Sequence, residues 1–334
     1  MSFSEAEKCD NLDGFIITHS LGGGTGSGLT SLVAEELTTY FARQTTLDYS
    51  VYTDPRTALC SVEPYNSVLL SHTELEYIDM NFILDNAEMF NCMVKNLDVK
   101  RPIHEDLNAL ISKYMMTTTV PLRVPQSDLM NASLTEYLSN LVPLPRLHYL
   151  QAAMSPIVAP SKVYKQNTSL QAVSNAVFAR DHNTMHICSR DPGVYLGITL
   201  NYVGDITQQI AAMTTYDMKQ RFKNVKICDW SPTSFKTHCS LKKPAYQPKG
   251  RFALVPREAC MTYNNTSVMC AWKRQLKQYN RMLNRRAFVH YYTAEGMDID
   301  EFTDAREDLQ ALQADYEESL EETRLISQAH SYWE

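Results

Sequence analysis

The sequence predicts an α/β protein: part of a doubly wound, parallel-stranded domain, then a second α+β domain, then a C-terminal helical hairpin. Three observations lead there. A short apolar run, GFIITHS at residues 14–20, runs straight into a glycine cluster and then into a helical pattern. A second strand-and-helix unit follows, and this rhythm is the grammar of doubly wound sheets. From residue 268 on, the chain reads as helix, with one connection near 294–296.

Each element has its own signal. The run at 14–20 is apolar and bounded, as a buried strand is. Residues 29–41 place Leu29, Val33, Leu37 and Tyr40 at helical spacing, and 46–52 alternate Leu47, Tyr49 and Val51 as a strand does. Residues 62–66 read as a loop, because Pro64 pushes the residue before it out of the helical region. A helix is expected over 65–72. Residues 105–116 carry Leu107, Leu110, Ile111, Tyr114 and Met115 on one broad stripe, a helix with a buried face. Between about 125 and 265 the signals mix: strand-like stretches at 185–188, 195–202 and 225–230, and proline-punctuated loops at 156–160 and 242–256. Residues 273–286 hold Lys273, Arg274, Lys277, Arg281, Arg285 and Arg286 with no acid, and 295–324 hold twelve acids against two arginines. In the acidic stretch Phe302, Ala305, Leu309, Leu312, Tyr316 and Leu320 form a narrow seam. The two helices are expected to pack antiparallel on an outer surface, with the acids turned away from the seam. The expected divisions are 1–103, 104–123 (a central core helix), 124–264 and 265–334.

Composition narrows the function. The 334 residues balance 31 Lys+Arg against 38 Asp+Glu, a net charge of −7 that gives no reason to expect nucleic acid. The 44% hydrophobic and 21% charged fractions are those of a globular protein of two or three domains. No apolar run approaches the ~20 residues of a membrane span. The polar, acidic opening predicts no secretory leader. Eight cysteines are scattered without a CxxC, which reads as free buried thiols in a reducing compartment. The histidines show no ligand spacing and no Ser/His/Asp group stands out, so neither a metal site nor a hydrolase triad is expected.

The informative motif is GGGTGSG. The chain has only 11 glycines, and five of them fall at Gly22, Gly23, Gly24, Gly26 and Gly28. Between a strand and a helix, such a cluster lets phosphate oxygens approach backbone N–H groups at a positive helix end, with the Thr25 and Ser27 hydroxyls as added donors. It lacks the GK[ST] ending of a P-loop and the GxGxxG spacing of a dinucleotide site. The competing explanation is a turn that needs positive φ.

GGGTGSG resembles the phosphate loop of the tubulin family. The resemblance continues through VEPYNSVL (62–69), LDN (84–86), NLVPLPRLH (140–148), DWSPTSFK (229–236), RRAFVHYYTAEGMD (285–298) and EFTDAREDLQALQADYEE (301–318). It covers nearly the whole chain, which is identified as a member of that family. LTEY at 134–137, with Glu136 where β-type chains carry Lys, and the long segment 240–256 resemble the α pattern. The resemblance implies a GTP-binding structural subunit that pairs with β-tubulin and stacks head to tail with other tubulin subunits. It also implies a place in the cytoplasmic microtubule cytoskeleton, and no nucleic-acid or membrane partner. The first division would then be a partial GTP-binding domain. Gly22 to Gly28 would wrap the phosphates, Glu63 would bond the ribose, Asn86 and Asn108 would read the guanine edge, and His104 would stack on the base. Glu136 would act in trans, orienting the water that attacks the next subunit's γ-phosphate. Mg²⁺ is implied with the nucleotide, its ligands expected outside this chain's residues. Motors and other microtubule-associated proteins would dock on the acidic helix.

Four departures qualify these expectations. Ser133 stands where the α pattern has Asp, and His104 where the family usually has Tyr. Residues 125–128 look about two longer than the family loop. The end, LISQAHSYWE, lacks the family's glutamate-rich tail. The chain also starts thirteen residues before its first strand, without the opening strands and helices of the family's nucleotide domain. Family-type GTP hydrolysis is therefore expected to be impaired. The isolated chain is expected to be poorly soluble, and the alternative function is a truncated, non-polymerising paralog or pseudogene-like product acting at most as a binding module.

Overall fold

The structure, a computed structural model, describes residues 4, 6–53, 60–123, 133–179, 193–221, 226–228, 230, 235–241, 244 and 251–331. The expectations for 125–128, 185–188, the last residues and much of 229–236 and 242–256 fall outside them.

Among the described residues, seven strands form one sheet: β1 (Gly14–Ser20), β2 (Thr45–Tyr52), β3 (Met80–Asp85), β4 (Tyr149–Ser155), β5 (Tyr195–Gly204), β6 (Phe235–Ser240) and β7 (Arg257–Asn265). Their order is β1-β2-β3-β4-β7-β5-β6. The first four run parallel, β7 is antiparallel to both β4 and β5, and β6 is parallel to β5. Of the expected strand at 225–230, the described residues (226–228 and 230) contribute one bridge, Ile227 to Tyr195. β2 reads as an alternating half-buried strand, yet nearly all of it is buried. The reason is position: a strand inside a parallel sheet has helices on both faces. β1, read as a buried strand, instead lies at the edge of the sheet: none of its residues is fully buried, and Ile16 is half exposed.

The helices are α1 (Thr30–Tyr40), α2 (Glu63–Tyr77), α3 (Asn86–Asn96), α4 (His104–Thr118), α5 (Val120–Arg123), α6 (Leu134–Leu141), α7 (Leu170–Phe178), α8 (Gln208–Arg221), α9 (Met269–Leu283), α10 (Val289–Ala294) and α11 (Ile299–Ser331). Three differ from their sequence reading. The helical run expected from 268 to about 294 breaks over 284–288, where Arg286 and Phe288 take positive φ, so α9 ends at Leu283 and α10 is separate. Residues 62–66 are not a loop: α2 begins at Glu63 with Pro64 in its first turn, where the missing N–H costs nothing. α1 buries Thr30, Ala34 and Leu37 and exposes Val33 and Tyr40, and Leu29 just before it is exposed too. A π-turn over Thr25–Leu29 precedes it and packs on α2 with it, so the small Thr30 and Ala34 face inward and the larger residues turn to solvent.

One face of the sheet is covered by α2, α9 and α11. Trp272 of α9 meets Tyr316 of α11, and the Tyr279 hydroxyl donates to the Phe302 carbonyl at 2.7 Å, so the two helices are antiparallel as expected. Phe302, Ala305, Leu309, Leu312 and Tyr316 are fully buried and Leu320 half-buried. Tyr65 of α2 sits edge-on among Tyr279, Tyr292 and Phe302, with ring centroids 5.2–5.8 Å away. The acids of α11 are not all left to solvent: Glu317 pairs with Lys273, Asp315 with Arg146, and Asp308 with His72. The opposite face of the sheet buries a second core with α3, α4 and α6, and a third lies around β5, β6 and β7.

Not every thiol is buried: Cys9 and Cys60 are exposed, because they lie on segments outside the sheet and its helices. No helix among the described residues is long and apolar enough to cross a membrane.

His148 closes the turn into β4. Its Nδ1 bonds the Pro145 carbonyl at 3.0 Å, its ring stacks on Tyr149, and burial pulls its pKa down to about 4. A neutral buried imidazole stabilises the fold above its unfolded pKa of ~6.5 and loses that contribution as pH falls from there towards 4. At pH 5.5 the loss is about 1.4 kcal/mol for this one group. Urea midpoints at pH 7.5 and 5.5, compared between wild type and His148→Gln, should show the wild type falling further by about that amount; parallel shifts would contradict the assignment.

Candidate functional site

Strand β1 ends at Ser20 and the chain turns over the C-terminal edge of the sheet, where the Leu21 N–H bonds the Val51 carbonyl of β2 at 3.2 Å. Gly22 lies against the Glu63 side chain: a Cβ there would stand 2.9 Å from its carboxyl carbon. Gly26 lies on the end of β1, where a Cβ would come within 2.1 Å of the Ser20 carbonyl oxygen. Gly23, Gly24 and Gly28 face open space, with nothing within 4 Å of an added Cβ. None of the five has positive φ; among described glycines that holds only for Gly193, Gly204 and Gly296. The cluster is therefore not a turn that needs left-handed backbone. Two of its glycines allow close packing, and three keep one backbone face uncovered.

That uncovered face is also a helix start. The Ser27 N–H bonds the Gly23 carbonyl at 2.9 Å, and the Ser27 hydroxyl bonds the same carbonyl. Helix geometry leaves the N–H groups just before this point without intrahelical acceptors, at the positive end of the dipole. Thr25 is exposed, whereas the Ser27 hydroxyl is turned back into the loop.

Three further groups belong to this edge. Glu63 is buried at the start of α2 and lines a cleft of about 410 Å³ with Tyr52, Arg274 and Arg281. Asn86 follows β3 directly, where Asp85 caps α3 through the Ala87 N–H at 3.0 Å. Asn66, not anticipated from sequence, holds the loop: its amide donates to the Gly22 carbonyl at 3.0 Å and its oxygen accepts from the Tyr292 hydroxyl at 2.7 Å. The signal available is its spacing, three residues past Glu63 on the same face of α2. His104 and Asn108 share one exposed face of α4, one turn apart, beside α3. Among the described contacts, no hydrogen bond joins them to Asn86 or to the loop.

Glu136 is elsewhere. It stands in the first turn of α6, where the Ser133 hydroxyl caps the Glu136 N–H at 3.1 Å. Ser133 thus performs the capping that Asp would. The start of α6 is tied to the opposite edge of the sheet: the Leu134 N–H donates to Asp13, just before β1, and the Thr135 hydroxyl meets that of Thr45, which opens β2. Seven residues of β1 separate the two edges, about 20 Å at strand rise. The carboxylate of Glu136 therefore cannot serve a ligand held by this chain's own glycine loop.

These arrangements suit a nucleotide whose phosphates meet the open glycine face. The Tubulin/FtsZ family GTPase domain matches residues 3–94 and the tubulin C-terminal domain matches 145–277. The tubulin alpha-1 chain of Saccharomyces cerevisiae is 41% identical over 311 residues, 93% of this chain and 69% of the yeast protein. The tubulin alpha-2 chain of Caenorhabditis elegans is 39% identical over 313 residues, 94% of this chain and 69% of the nematode one. The chain belongs to the tubulin family.

Proposed function

We propose that the chain is an α-type, GTP-binding structural subunit that pairs with β-tubulin, stacks head to tail with tubulin subunits in the microtubule cytoskeleton, and lends Glu136 to a neighbour's nucleotide. The observation that carries this reading is the separation of the glycine loop and Glu136 at opposite edges of one sheet. A subunit built so holds a ligand at one end and offers a carboxylate at the other, which suits head-to-tail stacking.

The residues divide the work as follows. The backbone of Gly23, Gly24 and Gly28 and the Thr25 hydroxyl would take the phosphates; Gly22 and Gly26 would set the loop's shape, with Ser27 closing it. Glu63 would bond the ribose, Asn86 and Asn108 would read the guanine edge, and His104 would lie against the base. GTP itself, with its Mg²⁺, supplies the γ-phosphate bond that is hydrolysed; none of this chain's residues is assigned to the metal. The remaining unpaired acids of α11 would meet basic motors and microtubule-associated proteins, at a salt-dependent rate.

Mass spectrometry of nucleotide released from the purified full chain tests the ligand. Guanine nucleotide should be retained over adenine in a competition with equal GTP and ATP. Equal retention, or none, would contradict the reading.

A further inference from the structure

Behind the glycine loop, His19 of β1, Asp48 of β2 and Glu74 of α2 converge in the interior. We propose that this trio is a binding site for a first-row divalent cation of the zinc class, joining β1, β2 and α2 beneath the loop.

The geometry has three parts. One ligand atom from each side chain lies within 4.8 Å of the other two. His19 Nε2 is 2.7 Å from Asp48 Oδ2 and 3.7 Å from Glu74 Oε1. Donors held at ~2.0–2.1 Å around a tetrahedral zinc ion stand about 3.3 Å apart, and the two observed separations bracket that value. Small side-chain shifts would bring the three onto one ion.

The second observation is unmet polarity aimed at the same point. Asp48 and Glu74 are fully buried, and Asp48 Oδ1 and Glu74 Oε1 have no hydrogen-bond partner. The Asn81 amide nitrogen lies beside Glu74 without a hydrogen bond of good geometry, while its oxygen accepts from the Ser50 hydroxyl at 2.6 Å. Buried oxygens of this kind normally find a partner, and two acids sharing one imidazole do not supply enough. Burial raises the pKa of both acids, and the neighbouring Asp48 charge raises that of Glu74 further. A divalent ion would neutralise both carboxylates at once. The Tyr149 hydroxyl, 3.3 Å from Glu74 Oε2, already orients the outer oxygen of that ligand. One imidazole and two carboxylates suit zinc and its neighbours better than magnesium, which prefers oxygen alone and keeps its waters.

The consequence is mechanical. His19 lies one residue before Ser20, whose carbonyl supports Gly26. An ion at the trio would fix the end of β1 that shapes the phosphate loop. With its ligands closed from solvent, the ion would enter as the chain folds.

The test uses the full chain produced in zinc-supplemented medium and dialysed. Elemental analysis should find about one zinc per chain, and Glu74→Gln and Asp48→Asn, which keep volume and hydrogen bonding, should each fall to about a tenth or less. Cys9→Ser/Cys60→Ser, which removes the two thiols exposed among the described residues, should keep its zinc. A folded wild type without zinc, or undiminished zinc in Glu74→Gln, would overturn the site. Should the carboxylate variants fail to fold, cobalt-substituted wild type decides: visible bands without thiolate charge transfer support the trio, and a thiolate band assigns the metal to cysteine and overturns it.

Discussion

Replacing Glu136 by alanine is expected to slow GTP hydrolysis in a copolymer of this chain with β-tubulin by about a hundredfold or more, the usual cost of losing a residue that positions or deprotonates water. The chain's own retained guanine nucleotide should be unchanged, because Glu136 lies at the other edge of the sheet from Gly22 and Gly26. Stability should shift little: Glu136 is half-buried in the first turn of α6, and the Ser133 cap that starts this helix remains. Phosphate release and bound nucleotide, measured on the same preparations, separate the two effects. Reduced retention with unchanged hydrolysis would place Glu136 in a different role. Should the wild-type copolymer itself hydrolyse slowly, Ser133, which starts the helix that carries Glu136, becomes the first residue to restore, to Asp.

Trp272→Ala is expected to cost about 3–5 kcal/mol, the range for removing a fully buried aromatic. Trp272 has no exposed surface and touches both the sheet and the hairpin, with ring centroids 4.9 Å from Tyr149 and 5.2 Å from Tyr316. Its loss would open a void where β4, α9 and α11 meet. By contrast, Asp315→Ala should cost less than about 1 kcal/mol, since its pair with Arg146 is half exposed. Urea denaturation of the two variants checks the ranking. A Trp272→Ala loss below that of Asp315→Ala would mean that the hairpin is not anchored through this residue.

Local pattern made much of the fold legible. GFIITHS and GGGTGSG are contiguous, so a strand, its loop and the helix behind it can be read together. The α9–α11 pairing is legible because the Phe302–Tyr316 seam is too narrow to be anything but one buried stripe. What is not legible is long-range. No local signal says that β7, far along the chain, inserts between β4 and β5. The inward face of α1 follows from the π-turn before it, which periodicity does not reveal. The site divides in the same way. Glycine density marks the loop, whereas Asn66 looks like any polar residue on a helix until its bonds to Gly22 and Tyr292 are seen. His19, Asp48 and Glu74 come from three separate elements, and an acid inside α2 reads as solvated until the sheet and the C-terminal helices cover it.

The central claim is that this chain holds a nucleotide at one edge of its sheet and acts on a neighbour's nucleotide from the other. The direct measurement loads γ-radiolabelled GTP either onto this chain or onto its β-tubulin partner, then follows label through co-assembly. Label loaded on the partner should be released as phosphate, and release should stop with Glu136→Ala. Label loaded on this chain should persist, because it would face a β-type subunit carrying lysine where this chain carries Glu136. Release of this chain's own label at the partner's rate, or release from the partner that does not depend on Glu136, would contradict the account.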